Sequence, residues 1–83
     1  MKTYNFELVL GAPTTDVEDE RLFERFEGRV SAAVVNGVPL LYLHIMAPSM
    51  DHAVREAIEG ARAVGLRVQR IELDPDVFLT EAA

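Results

Sequence analysis

An α+β sandwich, two helices on one face of a four-stranded antiparallel sheet, is what this sequence of 83 residues predicts. Three observations predict it. Tyr4, Phe6, Leu8 and Leu10 alternate with Asn5, Glu7 and Val9, the period of a half-buried strand. Two later stretches carry apolar residues at helical spacing behind a Thr or Ser suited to capping. Between them Asn36-Gly37 joins two β-rich runs, and that pair suits a type I′ hairpin because both central residues need positive φ.

The elements follow in order. Thr3 to Leu10 is the first strand. The turn Gly11-Ala-Pro-Thr-Thr leads to a helix over Asp16 to Glu27, DVEDERLFERFE, where Thr15 and Glu18 have the spacing of a capping box. This helix is expected to bury Leu22, Phe23 and Phe26, with Asp19 at the rim, and to stop at Gly28. Arg29 to Val35 and Val38 to Met46 form the hairpin, with Pro39 near a strand start, where a missing amide donor does least harm. Ser49 caps a second helix bearing Met50, Ala53, Val54, Ala57, Ile58, Ala61 and Val64, and Gly65 ends it. Gly60 inside it costs about 1 kcal/mol relative to alanine and is expected to allow close approach of helix and sheet. In the last strand, Leu66 to Leu73, the apolar phase slips between Val68 and Ile71, which predicts a bulge at Gln69 and Arg70.

Two βαβ crossovers joined by a hairpin give the ferredoxin-like βαββαβ sandwich, with strand order 4-1-3-2. Residues 1–73 make that domain, and residues 74–83 an acidic tail. A chain of this length buries about 60% of its unfolded surface, so a partner or second copy would add stability. Its 49% apolar content is too high for disorder. There is no cysteine, hence no disulfide and no thiolate metal site. Asn5 and Glu7 break the N-terminal apolar run, so no signal peptide is expected. The longest apolar run, Val38 to Ala47, is too short to span a membrane. The expected location is the cytoplasm of a bacterial host cell.

Charge is unevenly placed. Asp16, Glu18, Asp19, Glu20, Glu24 and Glu27 face only Arg21 and Arg25, while the segment from Glu72 to Ala83 carries Glu72, Asp74, Asp76 and Glu81 and contains no base. These two segments account for more than the net charge of −6, because the remainder is weakly positive. At 100° per residue Asp16, Glu20, Glu24 and Glu27 fall within about 80° of arc, one stripe rising about 6 Å per step. The helix dipole accounts for the first-turn acids but not for Glu24 and Glu27. Such a stripe, with Asp74 and Asp76, can occupy a basic channel by resembling a nucleic-acid backbone. The acid excess also argues against direct binding to nucleic acid or to an anionic membrane. A second candidate surface is the open face of the sheet, where Leu40, Tyr42, His44 and Met46 point outward, with Val9 and Glu7 beside them. It is read either as a dimer contact or as a seat for Val77, Phe78 and Leu79 of the tail.

Catalytic and cofactor chemistry finds no support in the residues. His44 and His52 lie on different elements without a third ligand at recognisable spacing, and no nucleophile motif or phosphate loop is present. Neither a cofactor nor enzymatic activity is expected. RNA-recognition domains need aromatics and a base on the third strand, where Val38 to Met46 offers only Tyr42. Gly11 after the first strand is shared with small-molecule-binding regulatory domains, which leaves amino-acid sensing as a minor alternative.

The stretches Tyr4 to Leu10, Asn36-Gly37, Ala47 to Ile58 and Arg67 to Ala83 together resemble a small domain found N-terminal to some bacterial helix-turn-helix proteins. There the last segment runs into the first DNA-binding helix, and Leu79-Thr-Glu-Ala-Ala resembles its opening. By type, the compact, acidic, cysteine-free chain also resembles phage-encoded anti-CRISPR inhibitors. The second resemblance implies a non-enzymatic inhibitor whose acidic helix blocks the basic nucleic-acid-binding site of a larger complex, a CRISPR effector being one such partner. The first implies a dimerisation or interaction module of a helix-turn-helix regulator lacking its DNA-binding part, with a homodimer as its expected state.

Overall fold

The computed structural model describes residues 1–73 and contains β1 (Lys2–Leu10), α1 (Asp16–Arg25), β2 (Val30–Val35), β3 (Val38–Ala47), α2 (Met50–Val64) and β4 (Val68–Leu73). The strands form one antiparallel sheet ordered β2-β3-β1-β4, the ferredoxin-like arrangement that the alternation of strands and helices predicts. The tail and its Asp74, Asp76, Val77, Phe78 and Leu79 lie outside the described residues.

Period-2 alternation sets the core. β1 and β3 pair so that Tyr4, Phe6 and Leu8 stand opposite Ile45, Leu43 and Leu41, all buried on the helix side. The Ala53, Ala57, Ala61 and Val64 stripe of α2 closes over them, and Leu22 and Phe26 join from the α1 segment. The hairpin turn has φ of 52° at Asn36 and 79° at Gly37, the positive pair that an Asn-Gly type I′ turn supplies without strain. In β4, Val9 stands opposite Arg70 but Leu10 opposite Val68, so Gln69 is the extra residue and the bulge falls where the phase slip places it.

Three expectations are corrected. First, α1 stops at Arg25 rather than Glu27. Phe26 is its C-cap, the Gly28 amide donates to the Phe23 carbonyl at 2.9 Å, and Glu27 and Gly28 take left-handed φ of 53° and 78°. This is a Schellman-type closure. Second, Phe23 is 62% exposed, whereas Leu22 and Phe26 are buried. On the helical wheel Phe23 lies about 100° from Leu22, outside the narrow stripe that faces the core, and its ring leans over Gly28 instead. Third, Gly60 makes room for a ring and not for the sheet. A methyl group there would lie 2.9 and 3.0 Å from two ring carbons of Phe26 and overlap a third.

The first turn of α1 is tied by a reciprocal capping box. The Thr15 amide donates to Glu18 Oε1 at 2.9 Å, and the Glu18 amide donates to Thr15 Oγ1 at 3.2 Å. Thr15→Ala removes the hydroxyl acceptor, and a loss of about 1 kcal/mol is expected in urea-induced unfolding.

Candidate functional site

The acidic ridge is built from α1 upward. Glu18 is committed to the capping box, and Asp19 accepts a hydrogen bond from Thr14 Oγ1 at 2.5 Å, so both half-buried acids serve the helix start. Asp16, Glu20 and Glu24 have no such duty. They are exposed and lie on the side of α1 opposite buried Leu22. Glu27 is exposed as well but stands beyond the helix end in its left-handed turn, so the ridge comprises three helical carboxylates with Glu27 past its end. Exposed Val17 (57%) and Phe23 (62%) flank these acids, giving α1 a mixed acidic and apolar outer surface.

The flank of α1 nearer α2 differs. Arg21, Glu24, Arg25 and Phe26 line a groove of about 480 Å³ with Glu56, Glu59, Ala63 and Val64 of α2. Glu56 and Glu59 were not legible as part of an acidic surface. Their spacing marks an exposed face of α2, but only the packing of one helix on the other turns that face toward Glu24. The same packing sets Arg21 and Arg25 among these carboxylates and reduces the net charge of the groove. The uncompensated acids are therefore on the outer side, at Asp16 and Glu20.

The open face departs from the expected apolar patch. Leu40, Tyr42, His44 and Met46 do point away from the helices, with Leu40 opposite Val9 and Tyr42 opposite Glu7. Yet Leu40 and Val9 are buried, at 8% and 2% exposure, and Tyr42 is half-buried. Only His44 and Met46 are exposed. Around Tyr42 and His44 the face is polar: a depression of about 470 Å³ is lined by Asn5, Glu7, Tyr42, His44 and Glu72 above Phe6, Leu43 and Leu73. His44 Nδ1 donates to Asn5 Oδ1 at 2.6 Å, and Arg70 holds Glu72 through Nε and Nη2 at 3.3 and 3.2 Å. Glu7 stands directly opposite Glu72, a like-charged cross-strand pair that disfavours the sheet slightly. The correction has a simple cause. Alternation predicts which way a side chain points, whereas burial and polarity depend on what the neighbouring strands place beside it.

Among the described residues no group of three His, Asp or Glu is arranged to hold a metal ion, and no helix is long and apolar enough to cross a membrane. Searches against protein-family models, curated proteins and solved structures find no match to this chain.

Proposed function

We propose that this protein is a non-enzymatic, protein-binding inhibitor that uses the outer surface of α1 to occupy a basic, nucleic-acid-binding site of a larger complex, in the manner of an anti-CRISPR nucleic-acid mimic. The observation that carries the reading is the exposure of Asp16 and Glu20 on the outer face of α1, free of the capping duties that hold Glu18 and Asp19, with exposed Glu24 continuing the row at the margin of the groove that Arg21 and Arg25 line. A carboxylate every 6 Å or so along a helix offers basic side chains a spacing like that of a phosphate backbone. Phe23 and Val17 beside the acids add apolar area that a mimic of pure charge would lack, and aromatic anchors tend to dominate binding energy. Arginine-rich partners would be approached quickly, because unlike charge steers encounter.

The test is capture of partners from a bacterial lysate with tagged protein at low and high salt, followed by competition with nucleic acid. The expected partner is a nucleic-acid-binding complex that is released as salt shortens the screening length from about 10 Å to about 3 Å. Substituting Asp16→Asn, Glu20→Gln and Glu24→Gln together is expected to weaken binding by at least roughly tenfold while leaving the thermal midpoint nearly unchanged. Undiminished binding by that triple variant would sink the proposal.

A further inference from the structure

The sheet has two edges, and they are built differently. β4 carries Arg70 and Glu72 as an ion pair and the bulge at Gln69, devices that discourage another strand from pairing there. β2, Val30–Val35, reads VSAAVV and has neither charge, proline nor bulge. Among the described residues no strand pairs with its outer side. Val34, Val35 and Val38 of this hairpin are 56%, 42% and 36% exposed, so that margin carries bare apolar side chains on both faces.

The ladder shows which backbone groups are free to pair. The His44 amide donates to the Arg29 carbonyl at 3.0 Å, so residues 29 and 44 are a hydrogen-bonded pair. The register continues as Val30↔Leu43 and Ser31↔Tyr42. Hydrogen-bonded and non-bonded pairs alternate in an antiparallel ladder. Ser31, Ala33 and Val35 therefore spend their groups on β3, while Val30, Ala32 and Val34 aim theirs at the open edge. These three residues are symmetric about Ala32.

We infer that β2 pairs antiparallel with β2 of a second copy, about a twofold axis through Ala32, to give one continuous sheet across two protomers. That register sets Val30 opposite Val34 of the other copy and Ala32 opposite its equivalent, so every outward amide and carbonyl of the three residues finds a partner. It also keeps both helix layers on the same side, as a twofold axis normal to the sheet requires. The edge itself suits a second copy: from Val30 to Leu43 no residue is charged, so the paired strands bring no like charge together. The acidic α1 packs on β2 and comes to the same side of the seam in both copies, so the association is expected to strengthen as salt screens that repulsion. A basic partner would find nothing to grip at the same edge. A six-residue edge is small for an interface, so the association is concentration-dependent.

Sedimentation measured over a range of concentrations tests this with two substitutions. Ala32→Pro removes an amide that plays no part in the protomer's own ladder, which edge strands tolerate. Ala32→Lys sets like charges opposite each other. The wild type is expected to dimerise, and either variant to raise the dissociation constant by at least roughly tenfold with little change in thermal midpoint. A wild type that stays monomeric at the highest concentration overturns the inference. So does a dimer that survives both variants but is lost on Tyr42→Asp, because that places the contact on the open face. Ala32 shares a depression with Thr14 and Asp19 at the start of α1, so Ala32→Pro, which adds no charge there, is the variant that keeps this result separate from that of the acidic-ridge test.

Discussion

Phe26→Ala is expected to lower the unfolding free energy by about 3–5 kcal/mol, whereas Phe23→Ala changes it by about 1 kcal/mol or less. The two residues share one helical segment and differ in what they touch. Phe26 is 8% exposed and fills the notch left by the missing side chain of Gly60, tying the end of α1 to α2. Phe23 lies on the outer surface. Gly60→Ala gives the sharper form of the prediction. Alanine favours the helix by about 1 kcal/mol, but the added methyl meets the Phe26 ring, and overpacking costs about 1–3 kcal/mol. A net loss is expected in the wild-type background. In the Phe26→Ala background the obstacle is gone, and the same substitution is expected to stabilise by about 1 kcal/mol. A double-mutant cycle in urea checks this, with the reversal of sign as its signature.

Leu41→Ala is expected to destabilise by about 2–5 kcal/mol. Leu41 and its cross-strand partner Leu8 are both fully buried at the centre of the sheet, so the space left behind cannot be filled by water or by a mobile neighbour. A chain of this length holds roughly 4–12 kcal/mol of stability at about 0.05–0.15 kcal/mol per residue. The substitution therefore removes a large share of it and should shift the urea midpoint strongly. Met46→Ala, on the same strand but the opposite face and 48% exposed, is expected to stay within about 0.5 kcal/mol. Comparable losses for both would mean that the open face is packed as firmly as the core.

Local signals made most of the architecture legible. Thr15 with Glu18, Ser49, Asn36-Gly37 and the phase slip at Gln69 each act within a few residues of themselves, through a cap, a turn or a bulge. Each works in the structure as its chemistry predicts. The readings that failed concern side chains whose surroundings come from distant parts of the chain. Periodicity placed Phe23 and Phe26 together in the core because both lie near one side of the helix. It had no measure of how wide the buried stripe would be. It placed Gly60 against the sheet because it had no sight of the Phe26 ring arriving from another helix. The acidic stripe was legible at Asp16, Glu20 and Glu24. It overran at Glu27, where a Schellman closure ends the helix before Gly28.

By itself the sequence determined the order of elements, the faces of β1 and β3, and an acidic first helix on a chain without catalytic motifs. These follow from backbone preferences and side-chain period, which are properties of neighbours in the chain. Tertiary structure alone decided that Arg21 and Arg25 share a groove with Glu56 and Glu59, and that Leu40 is buried on a face expected to be exposed. Both are questions of which surfaces meet, and burial and charge compensation depend on the partners that folding brings from elsewhere in the chain.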